Sequence, residues 1–451
     1  MDTQTWSELD KRTLWHPFTQ MADWAVQDVL VIESGEGPYL IDAVGRRYLD
    51  GVSSLWTNVH GHRHPRIDRA VREQLDRIAH TTLLGLASVP SIEFAVRLRE
   101  RLPAGLSRIF YSDNGSTAVE VALKIAFHCR RNRGGAEARR TRFVAFEGGY
   151  HGDTIGSVSL GGIDLFHETY HPLLFDTIQA RYPYCYRCHL GLTHPECGLA
   201  CAEETEKILA ARADEICAVV IEPLVQGAAG MRVAPPGFLA RVAAACRAHG
   251  VHLIADEVAT GFGRTGRLLA CEWEGVAPDL MCLAKGITGG YLPLAVTAAR
   301  EEIFEAFLGP PESFRQFFHG HTYTGNPLAC AAALASLAVF EEDGVLAGLP
   351  ARCETFARAL GALIDLAHVG DVRYRGLMAG IELVADRATK RPYGPAEKVG
   401  ARVVVEARRR GLVIRPLGDV IVLMPPLCCS EDQLREIAEI AGAAIRAVTG
   451  A

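Results

Sequence analysis

The sequence predicts an α/β protein: a large domain built on a mixed, mostly parallel sheet covered by helices, with a small α+β domain beside it. Three observations predict it. Between residues 106 and 285, near-continuous apolar runs alternate with helical patterns, the rhythm of strands buried on both faces. Polar residues suited to chemistry stand where those runs end, and ligands of open α/β sheets bind beyond the carboxyl ends of strands. After Asn326 the rhythm gives way to long helices and a few strands, as in a separate lobe.

Composition bounds the rest. A chain of 451 residues is too long for one simple core. The expected division is 1–62 as the N-terminal segment of the small domain, 63–326 as the large domain and 327–451 as its C-terminal part. With 49% hydrophobic and 22% charged residues and a net charge of −6, nothing favours nucleic acid or an anionic membrane as partner. No apolar run is long enough to span a bilayer. Met1 to Lys11 reads as neither signal nor transit peptide. Thirteen cysteines, mostly inside helix or strand patterns, read as reduced thiols of a cytoplasmic protein.

In chain order, Trp6–Leu14 reads as a helix, and Val29–Ile32, Tyr39–Asp42 and Arg47–Gly51 as a small sheet turning at Val44-Gly45. Helical patterns follow at Pro65–Ile78 and Pro90–Leu102. Arg108–Ser112 then leads into helix Thr117–Arg131, Arg142–Phe146 into Gly149-Tyr150-His151-Gly152-Asp153, and Ala218–Glu222 into helix Pro236–His249. Val251–Asp256 and Leu280–Ala284 complete the set. Beyond it, helices Pro327–Phe340 and Ala347–Leu366 lead to strands Met378–Val384, Leu412–Arg415 and Val420–Met424, with helices Ala396–Arg410 and Ser430–Val448.

Lys285 ends one apolar run and is followed at once by glycines. An apolar setting disfavours the ammonium, so the amine becomes a nucleophile suited to a Schiff base with a carbonyl; the plainer alternative is a strand-end lysine reaching solvent. Ser112–Thr117 joins a strand to a helix, and free N–H groups at a helix start can cradle phosphate or simply be capped. Asp256 closes a buried strand and needs a cationic partner, a protonated pyridine nitrogen or a core ion pair with Arg264. Thr322, in the polar loop His319–Asn326, could donate to a phosphate, or the loop could simply be solvated. Arg415 follows a buried strand and suits a substrate carboxylate, or a structural acid. Gly261-Phe262-Gly263-Arg264-Thr265-Gly266 matches a dinucleotide glycine pattern, but no useful helix follows and the match is rejected. Cys185, Cys188, Cys197 and Cys201 have spacing a zinc loop would tolerate; free thiols, with no metal, are the expectation.

Cradle, Tyr150, Asp256 and Lys285 together describe a pyridoxal phosphate site. Their order resembles the fold-type I, class III aminotransferases, whose long signature runs here from Leu253 through Gly266 and then Asp279 to Lys285. Trp15–Thr19, Ser53–Trp56, Asn58–Gly61, Gly149–Asp153, His319–Thr322 and Ile414-Arg415-Pro416 narrow the resemblance to the branch acting on 8-amino-7-oxononanoate. It covers nearly the whole chain. It implies that Lys285 carries pyridoxal 5'-phosphate and shuttles the proton, that Asp256 binds the ring nitrogen, and that Tyr150 and Val258 flank the ring. Asn114, Gly115 and Ser116 would hold the phosphate, joined by His321 and Thr322 of a neighbouring subunit in a homodimer with shared sites. Glu222, at a strand end of the same sheet, is expected among the cofactor-binding residues. Arg415 would take the substrate carboxylate, with Phe18, Trp56, Tyr150, Asp153, Lys285 and Gly320 about the substrate. The implied reaction is ping-pong conversion of 8-amino-7-oxononanoate to 7,8-diaminononanoate, with S-adenosylmethionine as donor; the alternatives are lysine as donor, another ω-amino acid aminotransferase, or an idle cofactor-binding scaffold. Phe18 and Leu55 depart from the tyrosine and tryptophan common there, which bears on the donor.

Overall fold

The computed structural model describes residues 3–450; Met1, Asp2 and Ala451, at the outer ends of the expected small-domain segments, lie outside the described residues. At its centre is a seven-stranded sheet in the order Leu106–Ser112, Ala295–Arg300, Leu280–Leu283, His252–Asp256, Ile216–Ile221, Arg142–Phe146, Ile178–Ala180. From Leu280–Leu283 to Ile178–Ala180 the neighbours are parallel. Ala295–Arg300 is antiparallel to both of its neighbours, so the sheet is mixed.

The strands read as unbroken apolar runs because successive side chains feed two cores. Val219, Ile221, Leu253, Ala255, Met281 and Leu283 enter one. Ala218, Val220, Ile254, Leu280 and Cys282 enter the other, against helix Gly115–Arg133. Strand Ala295–Arg300 was not legible in the sequence: an alanine-rich run signals helix as readily as strand, and its place between two strands decides it. Edge strand Ile178–Ala180 and strand Val369–Arg375, which carries Asp371, Arg373 and Arg375, also escaped the pattern.

Two smaller sheets flank the central one. Ile32–Glu36, Tyr39–Asp42 and Arg47–Asp50 are joined by Leu412–Val413, which lies parallel to Arg47–Asp50. Val369–Arg375, Met378–Leu383, Val420–Leu423 and Arg415–Leu417 form the other, all antiparallel. Two expectations need correction here. The first strand is Ile32–Glu36, not Val29–Ile32, because the tight turn at Gly37 (φ +53°) sets its pairing with Tyr39–Asp42. The single strand expected at Leu412–Arg415 is two, and the chain leaves one sheet for the other at Ile414.

Helix Pro327–Glu342 packs on helices Pro65–Leu75 and Val89–Arg99. Among the described residues no helix is long and apolar enough to cross a membrane. All thirteen cysteines are free, and no group of three or more His, Cys, Asp or Glu among the described residues is arranged to hold a metal ion.

Candidate active site

A cavity of about 750 Å³ opens at the carboxyl ends of the central strands. Lys285 lies on its floor, directly after strand Leu280–Leu283, with φ +46°, a left-handed backbone rare for a residue with a side chain. Burial lowers the pKa of its ammonium, while Asp256 and Glu222 pull it up. Its Nζ stands 5.0 Å from the centroid of the Trp56 ring.

Asp256 ends the next strand and is buried. Its Oδ2 lies 2.7 Å from His151 Nδ1, and its Oδ1 accepts the Val258 N–H at 3.1 Å. The core pair with Arg264 does not form; that buried guanidinium instead donates to Ser53 Oγ, Asn58 O and Pro425 O. Burial pulls the His151 pKa down, but the hydrogen bond and charge of Asp256, with Glu222, outweigh it and leave it raised. Glu222, one strand further, accepts the N–H of Tyr150 at 3.1 Å and of Gly227 at 3.0 Å. Burial pushes its pKa up to about 7, with Asp256 adding to the rise and His151 opposing it.

The segment expected as a phosphate cradle forms a helix cap. Asn114 Oδ1 accepts the Thr117 N–H at 3.0 Å, and Thr117 Oγ1 accepts the Asn114 N–H at 3.1 Å. This capping box leaves the N–H groups of Gly115 and Ser116 without a partner among the described residues, at the positive end of a 19-residue helix. Gly115 is required by close approach: a Cβ there would lie 2.5 Å from Val258 Cγ1. The Ser116 hydroxyl accepts the Thr154 N–H at 3.0 Å.

The walls come from several segments. Tyr150 donates its hydroxyl to Asp153 Oδ2 at 2.6 Å, and burial raises its pKa. Phe18 stands edge-on to Phe166, with ring centroids 5.3 Å apart. Arg415 lines the far side, and among the described residues its guanidinium has no acid partner. Trp56 is carried by an unusual turn. Ser53, Ser54, Leu55 and Trp56 have φ of +52°, +47°, +72° and +70°, a left-handed turn without glycine. Each such residue costs about 1 kcal/mol, so the turn persists only because its surroundings enforce it.

Twelve of the residues expected to bind cofactor or substrate thus line one cavity, together with Leu55: Phe18, Trp56, Asn114, Gly115, Ser116 and Tyr150, with Asp153, Glu222, Asp256, Val258, Lys285 and Arg415. Gly320, His321 and Thr322 do not line it; His321 Nδ1 lies 2.8 Å from Asp113 Oδ2, and Gly320 and Thr322 are exposed. Sequence reasoning missed Phe166 and gave His151 no role. Phe166 sits in a four-residue helix that no periodicity announces. His151 stood beside Tyr150 in the Gly149–Asp153 stretch, and its polar neighbours were the available signal.

This fold and site define a class. Residues 20–445 match the family Aminotransferase class-III, and the chain belongs to it. An adenosylmethionine-8-amino-7-oxononanoate aminotransferase of Nitratidesulfovibrio vulgaris is 60% identical over 98% of this chain and 81% of its own length. The crystal structure of an enzyme of that name from Methanocaldococcus jannaschii superposes with a TM-score of 0.94 at 43% identity, covering 99% of this chain and 100% of that one. An amine transaminase from an uncultivated Pseudomonas species, solved with pyridoxal phosphate bound, has a TM-score of 0.88 at 37% identity, covering 97% and 98%. The residues present here fit that cofactor: unpartnered N–H groups at a helix start, a glycine where a Cβ would collide, a buried acid and a desolvated lysine.

Proposed function

We propose that this chain uses pyridoxal phosphate to aminate 8-amino-7-oxononanoate to 7,8-diaminononanoate, a step of biotin synthesis, with S-adenosylmethionine as amino donor. The observation that carries the reading is the unpaired guanidinium of Arg415 in the same cavity as Lys285, with apolar and aromatic walls around it. A fixed cation at one end and an amine at the other suit an aliphatic keto acid held by its carboxylate. The relatives' names support both substrates.

When bound, pyridoxal phosphate carries the amino group between substrates and takes up the electrons of the broken C–H bond. Lys285 would hold the cofactor by its amine and, once displaced by the donor, its Nζ would take the proton from the donor carbon. Its lowered pKa keeps a fraction of the amine unprotonated for that task. Asp256, steadied by His151, stays in place to balance a protonated ring nitrogen. Tyr150 and Val258 confine the ring, and Gly115 and Ser116 donate to the phosphate. Arg415 orients the acceptor.

A homodimer with shared sites belongs to the same reading: Gly320, His321 and Thr322 of each chain complete the other chain's cavity. Its support is a set of exposed apolar side chains beside that loop, Phe314 at 67%, Phe318 at 66% and Tyr323 at 62%. The free thiols suit the reducing cytoplasm. The domain division at residues 62 and 326 is part of the proposal.

Purified protein loaded with pyridoxal phosphate should form 7,8-diaminononanoate from 8-amino-7-oxononanoate and S-adenosylmethionine. The cofactor absorbance should convert with that donor and not with lysine. Conversion with lysine alone overturns the donor; turnover of ω-amino acids without 8-amino-7-oxononanoate overturns the acceptor; silence with every amine leaves a cofactor-binding scaffold.

A further inference from the structure

The left-handed turn Ser53–Trp56 is held from behind by a side chain outside the cavity. Asp50 is completely buried. Its Oδ1 accepts the Ser54 N–H at 2.9 Å, and its Oδ2 accepts the Ser54 hydroxyl at 2.8 Å and lies 3.1 Å from His62 Nε2. On the other side, Ser53 Oγ donates to Met424 O at 2.6 Å and accepts from Arg264 Nη1 at 3.0 Å. Four consecutive side-chain-bearing residues in the left-handed region do not hold themselves there. Asp50 and Ser53 clamp the first two residues of the turn, Ser54 and Ser53, from opposite sides.

The clamp also connects two sides of the cavity. Asp50 pairs with Val413, two residues before Arg415, in the strand junction that joins the N- and C-terminal segments. Gly51 donates to Val413 O at 2.9 Å and accepts the Met424 N–H at 2.7 Å. A Cβ on Gly51 would lie 2.8 Å from Ile414 Cγ2 and 2.9 Å from Leu412 Cδ1, so the side chains of the joined strand leave no room for one at this position. Trp56, whose ring faces Lys285, and Arg415 therefore hang from one joined pair of strands.

We propose that Asp50 is a positioning residue for substrate recognition: by clamping the left-handed turn it sets Trp56 and Leu55 over Lys285 at a fixed reach from Arg415. It touches no substrate and acts through the turn. Its effect falls on substrate binding and not on cofactor binding, because the cofactor residues stand on other strands. Where the acceptor is concerned, the inference rests on the reading of Arg415 given above.

The test compares Asp50→Asn, Ser54→Ala, Ser54→Gly and the double variant D50N/S54G in the full-length, cofactor-loaded protein. KM and kcat are read for both half-reactions by cofactor absorbance, alongside cofactor affinity and melting temperature. Asp50→Asn should raise KM about tenfold with kcat and cofactor affinity within about threefold of wild type. Ser54→Ala, at an exposed position, removes one clamp bond and should raise KM about threefold. In the double variant glycine takes positive φ without a clamp, so KM should return to within about threefold of wild type. Rescue by glycine is not expected of a residue that merely stabilises the fold. Unchanged KM in D50N and S54A overturns the proposal, as does a D50N that loses cofactor affinity in step with KM and is not rescued. If D50N does not fold, S54A and S54G decide: raised KM in the first and near-normal KM in the second support the clamp, and any other pattern overturns it. A wild type that accepts amines but not 8-amino-7-oxononanoate overturns the acceptor reading alone, since the amine half-reaction still reports on the turn.

Discussion

At the cofactor end of the cavity the polar side chains lean on partners fixed by backbone or by another segment: Asp256 on His151, Glu222 on the N–H groups of Tyr150 and Gly227, Asn114 on Thr117 of the same helix start. At the mouth, Phe18 and Leu55 are 56% and 49% exposed and meet their surroundings mainly through apolar contact. Strand ends locate groups closely because each is tied to a sheet buried on both faces. The mouth is made of loops and a clamped turn, which can change composition without disturbing the sheet. The difference teaches where chemistry and where selectivity reside: the floor suits the reaction common to the class, and the mouth suits a choice among amines.

Substitutions rank that contrast. Lys285→Ala should lower kcat of the half-reaction by about 10⁴-fold or more, since no other lysine among the described residues lines the cavity; single-turnover absorbance measures it, and a small loss would move the chemistry off this residue. Asp256→Asn should lower kcat by about 10²-fold or more and destabilise the protein by about 3 kcal/mol, because it removes the carboxylate that the buried His151 leans on; kinetics and thermal melting should change together. Arg415→Gln should cost about 1.5–3 kcal/mol of carboxylate binding, a rise in acceptor KM of about 10- to 100-fold. The donor half-reaction should show a smaller change, which tests whether Arg415 belongs mainly to the acceptor.

A fourth prediction concerns pH. The folded-state pKa of Glu222, about 7, lies above its ordinary value of 4.5. The folded protein therefore holds this proton more tightly than the unfolded chain. The associated stability is full below about pH 4.5 and is lost as pH rises through about 7, amounting to up to about 3 kcal/mol. Glu257, buried and also pushed up to about 7, contributes in the same window. The cofactor-free protein should melt at lower temperature at pH 7.5 than at pH 5, and Glu222→Gln should flatten part of that slope; identical slopes would mean the floor does not hold the proton. The smallest effect belongs to the mouth. Phe18→Tyr should shift the ratio of kcat/KM between S-adenosylmethionine and lysine by about tenfold or less, because one added hydroxyl at a half-exposed position is worth little. A larger shift would make the mouth as exacting as the floor.

Much of this was legible along the chain. The runs ending at Glu222, Asp256 and Ala284 are local signals, since burial on both faces demands continuous apolar sequence. The polar residues that close or follow them were conspicuous for the same reason, and twelve of the residues expected to bind cofactor or substrate meet in one cavity. Ala295–Arg300 was illegible because alanine carries no strand signature, and only its neighbours make it a strand. The break at Ile414 was hidden because Leu412–Arg415 reads as one strand, although Leu412–Val413 and Arg415–Leu417 pair with different sheets. Phe166 carried no pattern because short helices have no periodicity to read.

Sequence alone determined the alternation of strands and helices and marked a lysine, an acid and a strand-to-helix turn at strand ends as candidates, because these follow from local hydrophobicity and spacing. Which partner Asp256 takes, His151 and not Arg264, came only from the folded chain, since 105 residues separate the pair and the sheet brings them to 2.7 Å. So did the left-handed turn at Ser53–Trp56. Nothing in Ser-Ser-Leu-Trp favours positive φ; Asp50 enforces it from just upstream, and Arg264 and the Met424 carbonyl enforce it from distant parts of the chain.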